Sequence, residues 1–572
     1  MVKKVIVPGD SSFKSIIEDN KYYVDKTMLI HDLIIKQEMY ALVTRPRRFG
    51  KTLNQVMLRD FFDVRHDNRH LFKDLSINNH PDIMDKHCNQ HPTIFMTFNE
   101  CESLTLDGFK TRYKEMISDV YKGYKHIREK LDASDKKYFD DVVNEKLDLK
   151  RDYDTEDKTL QLDGFDAYKA SLRKLSDFLY QYYDKKIVIL IDEYDVPINK
   201  GFMENYFKEI VDFFKSLFVS SLKNNENIQL AVLTGCLRIS KESVFTGLNN
   251  LNVYSVLNPE YAKYYGFTQE EVNEMAKYFN LEDKLDNIKL WYDGYNFGGV
   301  EIYNPWSICK YVSAISKNFI SYWVNTSNND QLKELIVKGG EDFRNSIKPL
   351  LAGGYIEKTL NMDVDYKTLY KRDNNIYAFL VSAGYLKATQ LEKRERRKLL
   401  YKLELPNEEI VDVFSDLMDE LADEFIDDSS YNALTRSIIE SDVETFEGIL
   451  NMSLQGVSFF DTESSEAENP YHLFIFGKLF ERDNNYVTLS NRESGNGRYD
   501  IILKNNNGNS AIIIELKRAY SNKTDLEELA HKAIKQINEK GYKEGLKYEG
   551  YDDIKIYGVA LYKKQCRVVL EE

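Results

Sequence analysis

The sequence predicts an α/β chain of several domains: a parallel sheet with crossover helices first, a mainly helical middle, and a mixed domain of αβββαβ order last. Five Val-, Ile- and Leu-rich runs alternating with helical stretches predict the first domain. Two apolar runs joined by a turn at 505–509, then a helix and another strand, predict the last. A chain of 572 residues also exceeds what one hydrophobic core serves, so three or four domains are expected.

The N-terminal runs are 40–44, 92–98, 186–193, 229–235 and 252–257. A run as continuous as Ile187-Val188-Ile189-Leu190-Ile191 is apolar on both faces, as a strand covered by helices on both sides must be. After the first run, Arg45-Pro46-Arg47-Arg48-Phe49-Gly50-Lys51-Thr52 opens a helix through about Phe62. This spacing fits the phosphate-binding loop G-x-x-x-x-G-K-[ST], with Arg45 in place of the first glycine. Gly50 supplies a flexible turn, Lys51 a cation for β- and γ-phosphates, and Thr52 a hydroxyl for Mg²⁺, all at a helix N-terminus. The third run ends in Asp192 and Glu193, suited to hold Mg²⁺ through water and to polarise an attacking water. Asp195 reads as a cap on the turn before Pro197. Gathered at the strand ends, the loop, Asp192, Glu193 and Thr234 form a pocket for ATP and Mg²⁺. The charged stretch 128–163 reads as a helical or mobile insertion.

From Thr268 the chain turns helical. Trp291-Tyr292-Asp293-Gly294-Tyr295 and Ile302-Tyr303-Asn304-Pro305-Trp306-Ser307 punctuate it with aromatics and turns, read as core in preference to base-stacking surface. A helix at 376–386 precedes a hairpin at 387–405, and Pro406-Asn407 opens another helix. The hairpin tip, Lys393-Arg394-Glu395-Arg396-Arg397-Lys398, carries five basic residues to one acid. Helix, basic hairpin and helix suit a winged-helix-like element touching phosphates, with a solvated turn as the alternative.

In the last domain the runs 499–503 and 511–517 read as a β-hairpin, so Asp500 faces Glu515 and Lys517, which share one side of their strand. Carboxylates are the ligands Mg²⁺ prefers, and the Leu516 carbonyl lies between them and Lys517. Lys517, a compact charge, is placed to orient or activate water and to stabilise a charged transition state. Asn469-Pro470 opens a helix through Phe480, residues 486–489 read as a strand, Thr524 caps a helix to about Lys540, and 554–559 read as a final strand. Gln536 and Lys532 share a helical face.

This order, with Asp500 and Glu515-x-Lys517, resembles the PD-(D/E)XK nuclease superfamily and its restriction-endonuclease-like fold. With Tyr471-His472, Ser490-Asn491-Arg492-Glu493-Ser494-Gly495, Gly497-Arg498-Tyr499-Asp500 and Gln536-Ile537, the chain resembles, over nearly its whole length, a microbial family that joins such a nuclease to an AAA-ATPase-like P-loop NTPase domain. In that family an arginine-rich loop is usual, so the resemblance implies that Arg48 joins Gly50, Lys51, Thr52 and Asp192 in binding the nucleotide. It also implies that Thr234 senses the γ-phosphate, and that Arg238 is a charge clamp in cis or in trans, its alternative being a pair with Glu242. Glu193, Asp500, Glu515, Lys517 and Gln536 become the catalytic candidates, and Thr52, Asp192, Asp500 and Glu515 the metal ligands. The helical middle becomes a lid. The expected divisions are 1–262 for the ATPase-like domain, 263–372 for the lid, 373–430 for the winged-helix-like element and 431–572 for the nuclease-like domain. His472 reads as a packed histidine. The acid usual on the first helix of the superfamily has no clear counterpart, since Glu468 precedes that helix and Glu481 ends it.

A net charge of −15 argues against diffuse binding of nucleic acid over the whole surface, and leaves room for a local basic groove. Five cysteines, scattered and odd in number, suit a reducing cytoplasm. The N-terminal apolar run is too short for a signal peptide and no run reaches membrane-spanning length. The expected function is an ATPase whose nucleotide state gates a Mg²⁺-dependent nuclease acting on DNA, with room for a homo-oligomer and no membrane partner. The alternative is a nucleotide-switched nucleic-acid-binding or signalling protein whose nuclease-like fold does not cut.

Overall fold

A computed structural model of the chain describes residues 3–147, 164–238, 244–245, 248, 250–323, 329–363, 369, 373–456 and 486–571, with isolated gaps inside the later ranges. The predicted helix 469–480, with His472 and its flanking Glu468 and Glu481, lies outside the described residues, as do Glu242, Arg396 and Arg397. The chain forms two compact units, one of 1–327 with 355–410 and one of 328–354 with 411–572.

In the first unit the five predicted strands form one parallel sheet, β1 (Tyr40–Thr44), β2 (Thr93–Thr97), β3 (Ile187–Asp192), β4 (Ile228–Gly235) and β5 (Asn252–Tyr254), in the order β2-β3-β4-β1-β5. β1 and β3 are buried throughout, as apolar runs without alternation require. In the register, Ile191 pairs with Leu233 and Val43 with Thr234, so the C-terminal ends of β3, β4 and β1 lie side by side. Those ends carry Asp192, Thr234 and the loop that follows Thr44. Within 128–163, a helix spans Ala133–Val143, and 148–163 lies outside the described residues.

Helices Gln269–Phe279, Leu285–Tyr292 and Pro305–Ser313 follow, with a short hairpin of β6 (Tyr295–Phe297) and β7 (Val300–Ile302). Thr268 and Glu271 close the first of these helices with a reciprocal capping box. Tyr292, Tyr303 and Tyr311 are buried in the core these helices share, as predicted for the aromatics. Lys26 reaches Glu271 at 2.6 Å, tying the N-terminal segment to them. Then β8 (Ile356–Thr359), β9 (Lys387–Glu395) and β10 (Lys398–Glu404) form an antiparallel sheet in the order β8-β10-β9, and the helix Asp373–Ala383 precedes the hairpin. The helix Glu408–Phe425 follows, so the predicted helix, hairpin and helix are present, with β8 added as a third strand.

The second unit holds a five-stranded sheet of order β11-β14-β15-β16-β17, from β11 (Tyr486–Ser490), β14 (Ile501–Asn505), β15 (Ser510–Arg518), β16 (Asp553–Tyr562) and β17 (Gln565–Leu570). A two-stranded ladder of β12 (Glu493–Ser494) and β13 (Gly497–Arg498) precedes β14. The helix Leu526–Lys540 crosses from β15 to β16, which pair in parallel, while the neighbouring pairs are antiparallel. Its N-cap is Asp525, which accepts from Glu527 N and Glu528 N, and not the predicted Thr524. Two donors on consecutive residues, both reaching Oδ1, suit a carboxylate better than a single hydroxyl. No helix among the described residues is long and apolar enough to cross a membrane.

Candidate nucleotide and nuclease sites

The loop after β1 closes onto the helix Lys51–Phe62 through Gly50, whose φ of 78° lies in the left-handed region that glycine reaches without penalty. Thr52 Oγ1 donates to Asp192 Oδ2 at 2.6 Å, and Thr234 Oγ1 donates to Asp192 Oδ1 at 2.5 Å. One carboxylate therefore links the loop, β3 and β4. Gln55, one turn beyond Lys51 and buried, donates to Val232 O at 3.1 Å and to Thr234 Oγ1 at 3.3 Å. Sequence reasoning passed over Gln55; a polar residue on the sheet-facing side of an amphipathic helix was the available signal.

Lys51 is buried, donates to the carbonyls of Arg45 and Pro46 at 3.2 and 3.0 Å, and lies 3.4 Å from Glu193 Oε1. Burial alone would depress its pKa, yet Cys236, Glu193, Asp195 and Asp192 around it hold the pKa above the ordinary lysine value. Burial, and then the charge of Glu193, push the Asp192 carboxyl up, and the same two causes push Asp195 up to about 6. Glu193 sits at φ 53°, a conformation unusual outside glycine, and its Oε2 is buried with no hydrogen-bond partner among the described residues. Such local strain is characteristic of functional positions.

Asp195 does not cap its own turn. Its side chain makes no cap bond to the helix Val196–Met203 and instead accepts from Cys236 N at 2.9 Å and Leu237 N at 2.8 Å, fixing the segment that leads to Arg238. The two backbone donors come from the segment after β4, so local sequence could not announce them. Gly235 leaves room for this contact, since a Cβ there would stand 2.5 Å from Asp195 Oδ1. Arg238 pairs with Asp363 at 2.7 Å.

The arginines of the loop divide three ways. Arg45 is fully buried and braces the loop: it donates to the carbonyls of Thr44 at 2.8 Å, Tyr254 at 2.9 Å and Glu260 at 3.2 Å, with its guanidinium 5.1 Å from the centre of the Phe297 ring. That is why a long side chain stands where the loop pattern has glycine, and burial lowers its pKa to about 10. For Arg47 burial works against the charge, but Cys236, Glu193 and Asp195 more than offset it. Arg48 is exposed, with its guanidinium 4.1 Å over the Trp306 ring.

In the second unit Asp500 directly precedes β14, and Glu515 and Lys517 sit on β15. Asp500 Oδ2 accepts from Leu516 N at 2.7 Å, and Asp500 N donates to Glu515 Oε2 at 3.4 Å. Lys517 Nζ lies 3.7 Å from Glu515 Oε1, which also accepts from Gln536 Nε2. The four residues singled out from sequence are therefore brought together. Gln536 arrives because Gly558, the register partner of Glu515 on β16, lets the helix close on the sheet: a Cβ at Gly558 would stand 2.1 Å from Ala530 O. Lys532 points elsewhere and pairs with Glu528 at 2.9 Å on an exposed face. Tyr542, not anticipated, is buried beside the site, and burial first, then the charges of Glu515 and Asp500, push its hydroxyl up to about 12. Both carboxylates are buried, and burying two such charges is costly without a counter-charge. A hard divalent cation with oxygen ligands fits that donor set. Among the described residues no group of three acid, histidine or cysteine ligands converges.

Residues 8–245 match the family model described as predicted AAA-ATPase, and residues 466–571 match the PD-(D/E)XK nuclease superfamily. The chain carries an AAA-ATPase-like domain and a PD-(D/E)XK nuclease-superfamily domain. An uncharacterized protein in the vnfD 5' region of Azotobacter chroococcum mcd 1 is similar to this chain at 25% identity over 415 residues, 72% of the chain and 69% of that protein. The two matched segments coincide with the two clusters of polar side chains described above.

Proposed function

We propose that the protein binds and hydrolyses ATP with Mg²⁺ in its N-terminal domain, and that the nucleotide state gates a Mg²⁺-dependent nuclease acting on DNA in the cytoplasm. The observation that carries the nuclease half is the convergence of Asp500, Glu515, Lys517 and Gln536 at one end of β15. Asp500 and Glu515 would hold the cation, which supplies Lewis acidity and a water of lowered pKa. Lys517 orients that water and neutralises charge on the phosphate, and Gln536 holds the Glu515 carboxylate in place. In the ATPase half, Lys51 takes the β- and γ-phosphates, Thr52 and Asp192 hold Mg²⁺, Glu193 polarises water, and Thr234 reports the γ-phosphate. Arg48 and Arg238 complete the nucleotide contacts, Arg238 in cis or, in a homo-oligomer, in trans. The divisions 1–262, 263–372, 373–430 and 431–572 are the corresponding functional segments.

The test incubates plasmid with protein, Mg²⁺ and ATP, comparing wild type with Asp500→Ala and Lys517→Ala. Equal cutting by all three removes the assigned site. Nucleic-acid binding that needs ATP but yields no product with Mg²⁺ or Mn²⁺ turns the reading into one of a nucleotide-switched binding protein. Unchanged phosphate release in Lys51→Ala and Glu193→Gln removes the ATPase half.

A further inference from the structure

The indole of Trp306 differs from the aromatics around it. Tyr292, Tyr295, Tyr303 and Tyr311 are buried, whereas Trp306 keeps a partly exposed ring. It is held at two points: Asn304 Oδ1 accepts from Trp306 N at 3.0 Å, and the indole Nε1 donates to Tyr322 O at 3.1 Å. A flat apolar surface is thereby fixed in orientation before any ligand arrives. Gly9, at φ 86°, lies against its edge, where a Cβ would stand 3.2 Å from the ring. Lys310 places its ammonium 4.8 Å from the ring centre, and Arg48 places its guanidinium at 4.1 Å. Arg48 is separated from Gly50 and Lys51 of the phosphate-binding loop only by Phe49, so the indole stands within one side chain's reach of the loop.

We propose that Trp306 is the platform on which the base of the nucleotide stacks, the purine ring entering between the indole and the Arg48 guanidinium while the loop takes the phosphates. This rests on the nucleotide-site reading above and specifies its base-recognition element. The face that a planar guanidinium covers is one that a purine covers equally well, through dispersion and the ring quadrupole. The displaced contact is exposed and therefore weak, whereas stacking of a base on an aromatic side chain is worth about 10- to 100-fold in affinity. Lys310 adds positive charge at the ring, suited to an anionic ligand.

The experiment measures dissociation constants of the full chain for Mg²⁺-ATP and for inorganic tripolyphosphate, which has no base, in wild type, Trp306→Ala and Trp306→Phe. Trp306→Ala is expected to weaken ATP about 10- to 100-fold and leave tripolyphosphate within about two-fold, erasing the preference for the nucleoside. Trp306→Phe, which keeps a stacking face, is expected to retain most of the ATP affinity. ATP should quench tryptophan fluorescence in wild type and much less in Trp306→Phe. Equal weakening of both ligands by Trp306→Ala would make the residue a brace of the loop and overturn the proposal, as would no effect on either. A wild type that binds neither ligand fails the nucleotide-site reading itself, and an ATP affinity indifferent to Trp306 beside intact tripolyphosphate binding fails only the stacking inference.

Discussion

The two candidate sites treat their charges in opposite ways. In the N-terminal site most polar groups engage one another: Thr52 and Thr234 both donate to Asp192, and Lys51 is engaged by two loop carbonyls and Glu193, whose Oε2 alone of this set has no hydrogen-bond partner among the described residues. Phosphates entering this site must exchange those internal bonds for ligand bonds, which is the behaviour expected of a site that reports occupancy. In the C-terminal site the carboxylates are oriented by the backbone, through Asp500 to Leu516 N and Glu515 to Asp500 N, and by Gln536. These bonds hold Asp500 and Glu515 next to each other at the junction of β14 and β15. A rearranging site suits a switch, and a preorganised one suits chemistry.

The largest expected effect breaks the preorganised site. Asp500→Ala or Lys517→Ala should lower plasmid cleavage by about 10²–10³-fold while ATP turnover stays within about two-fold, read from paired gel and phosphate-release assays. Next, Lys51→Ala should lower ATP turnover by about 10²-fold and abolish any dependence of cleavage on ATP, leaving the Asp500 site itself intact. A smaller effect separates geometry from chemistry. Gly558→Ala forces the helix Leu526–Lys540 off the sheet at Ala530 and should cost about 1–3 kcal/mol of stability in a thermal melt, with cleavage falling and ATP turnover unchanged.

The smallest effect is one of pH. The Asp195 pKa is raised to about 6, so the neutral acid is favoured in the fold. Its stabilisation is full below about pH 4, where an unfolded aspartate is also protonated, and is lost as pH climbs through about 6. The stability of wild type relative to Asp195→Asn should therefore increase as pH falls from 7 to 4 in urea unfolding. A difference that stays flat across that window would remove Asp195 from the acid group around Lys51.

Much of the fold was legible because the signals are local. The runs 40–44 and 186–193 were readable as buried strands from unbroken apolarity, and the structure ends the second at Asp192 with Glu193 turned into a left-handed conformation. The hairpin of β14 and β15 followed from two apolar runs and an Asn-rich turn, and alternation along β15 put Glu515 and Lys517 on one side. Contacts between distant segments were not legible. Asp195 was read as a cap because Pro197 lies two residues on, whereas its partners are 41 and 42 residues away on the segment after β4. The sequence reading puts the helix cap at Thr524, and the hydrogen-bond geometry moves it to Asp525. Arg45 read as a departure from a motif, and its burial against carbonyls of Tyr254 and Glu260 explains it.

By itself, then, the sequence determined the five strands of the first sheet, the hairpin of β14 and β15 with the helix that follows it, the phosphate-loop spacing at Gly50, Lys51 and Thr52, and the triad of Asp500, Glu515 and Lys517. These depend on side-chain periodicity and on residues adjacent in the chain. The tertiary structure alone decided that Gln536 meets Glu515 across the helix that Gly558 admits, that Asp192 joins two hydroxyls, and that Arg48 lies on Trp306. Each of these joins segments separated by at least 21 residues, and packing of helix on sheet, not local preference, sets their distance.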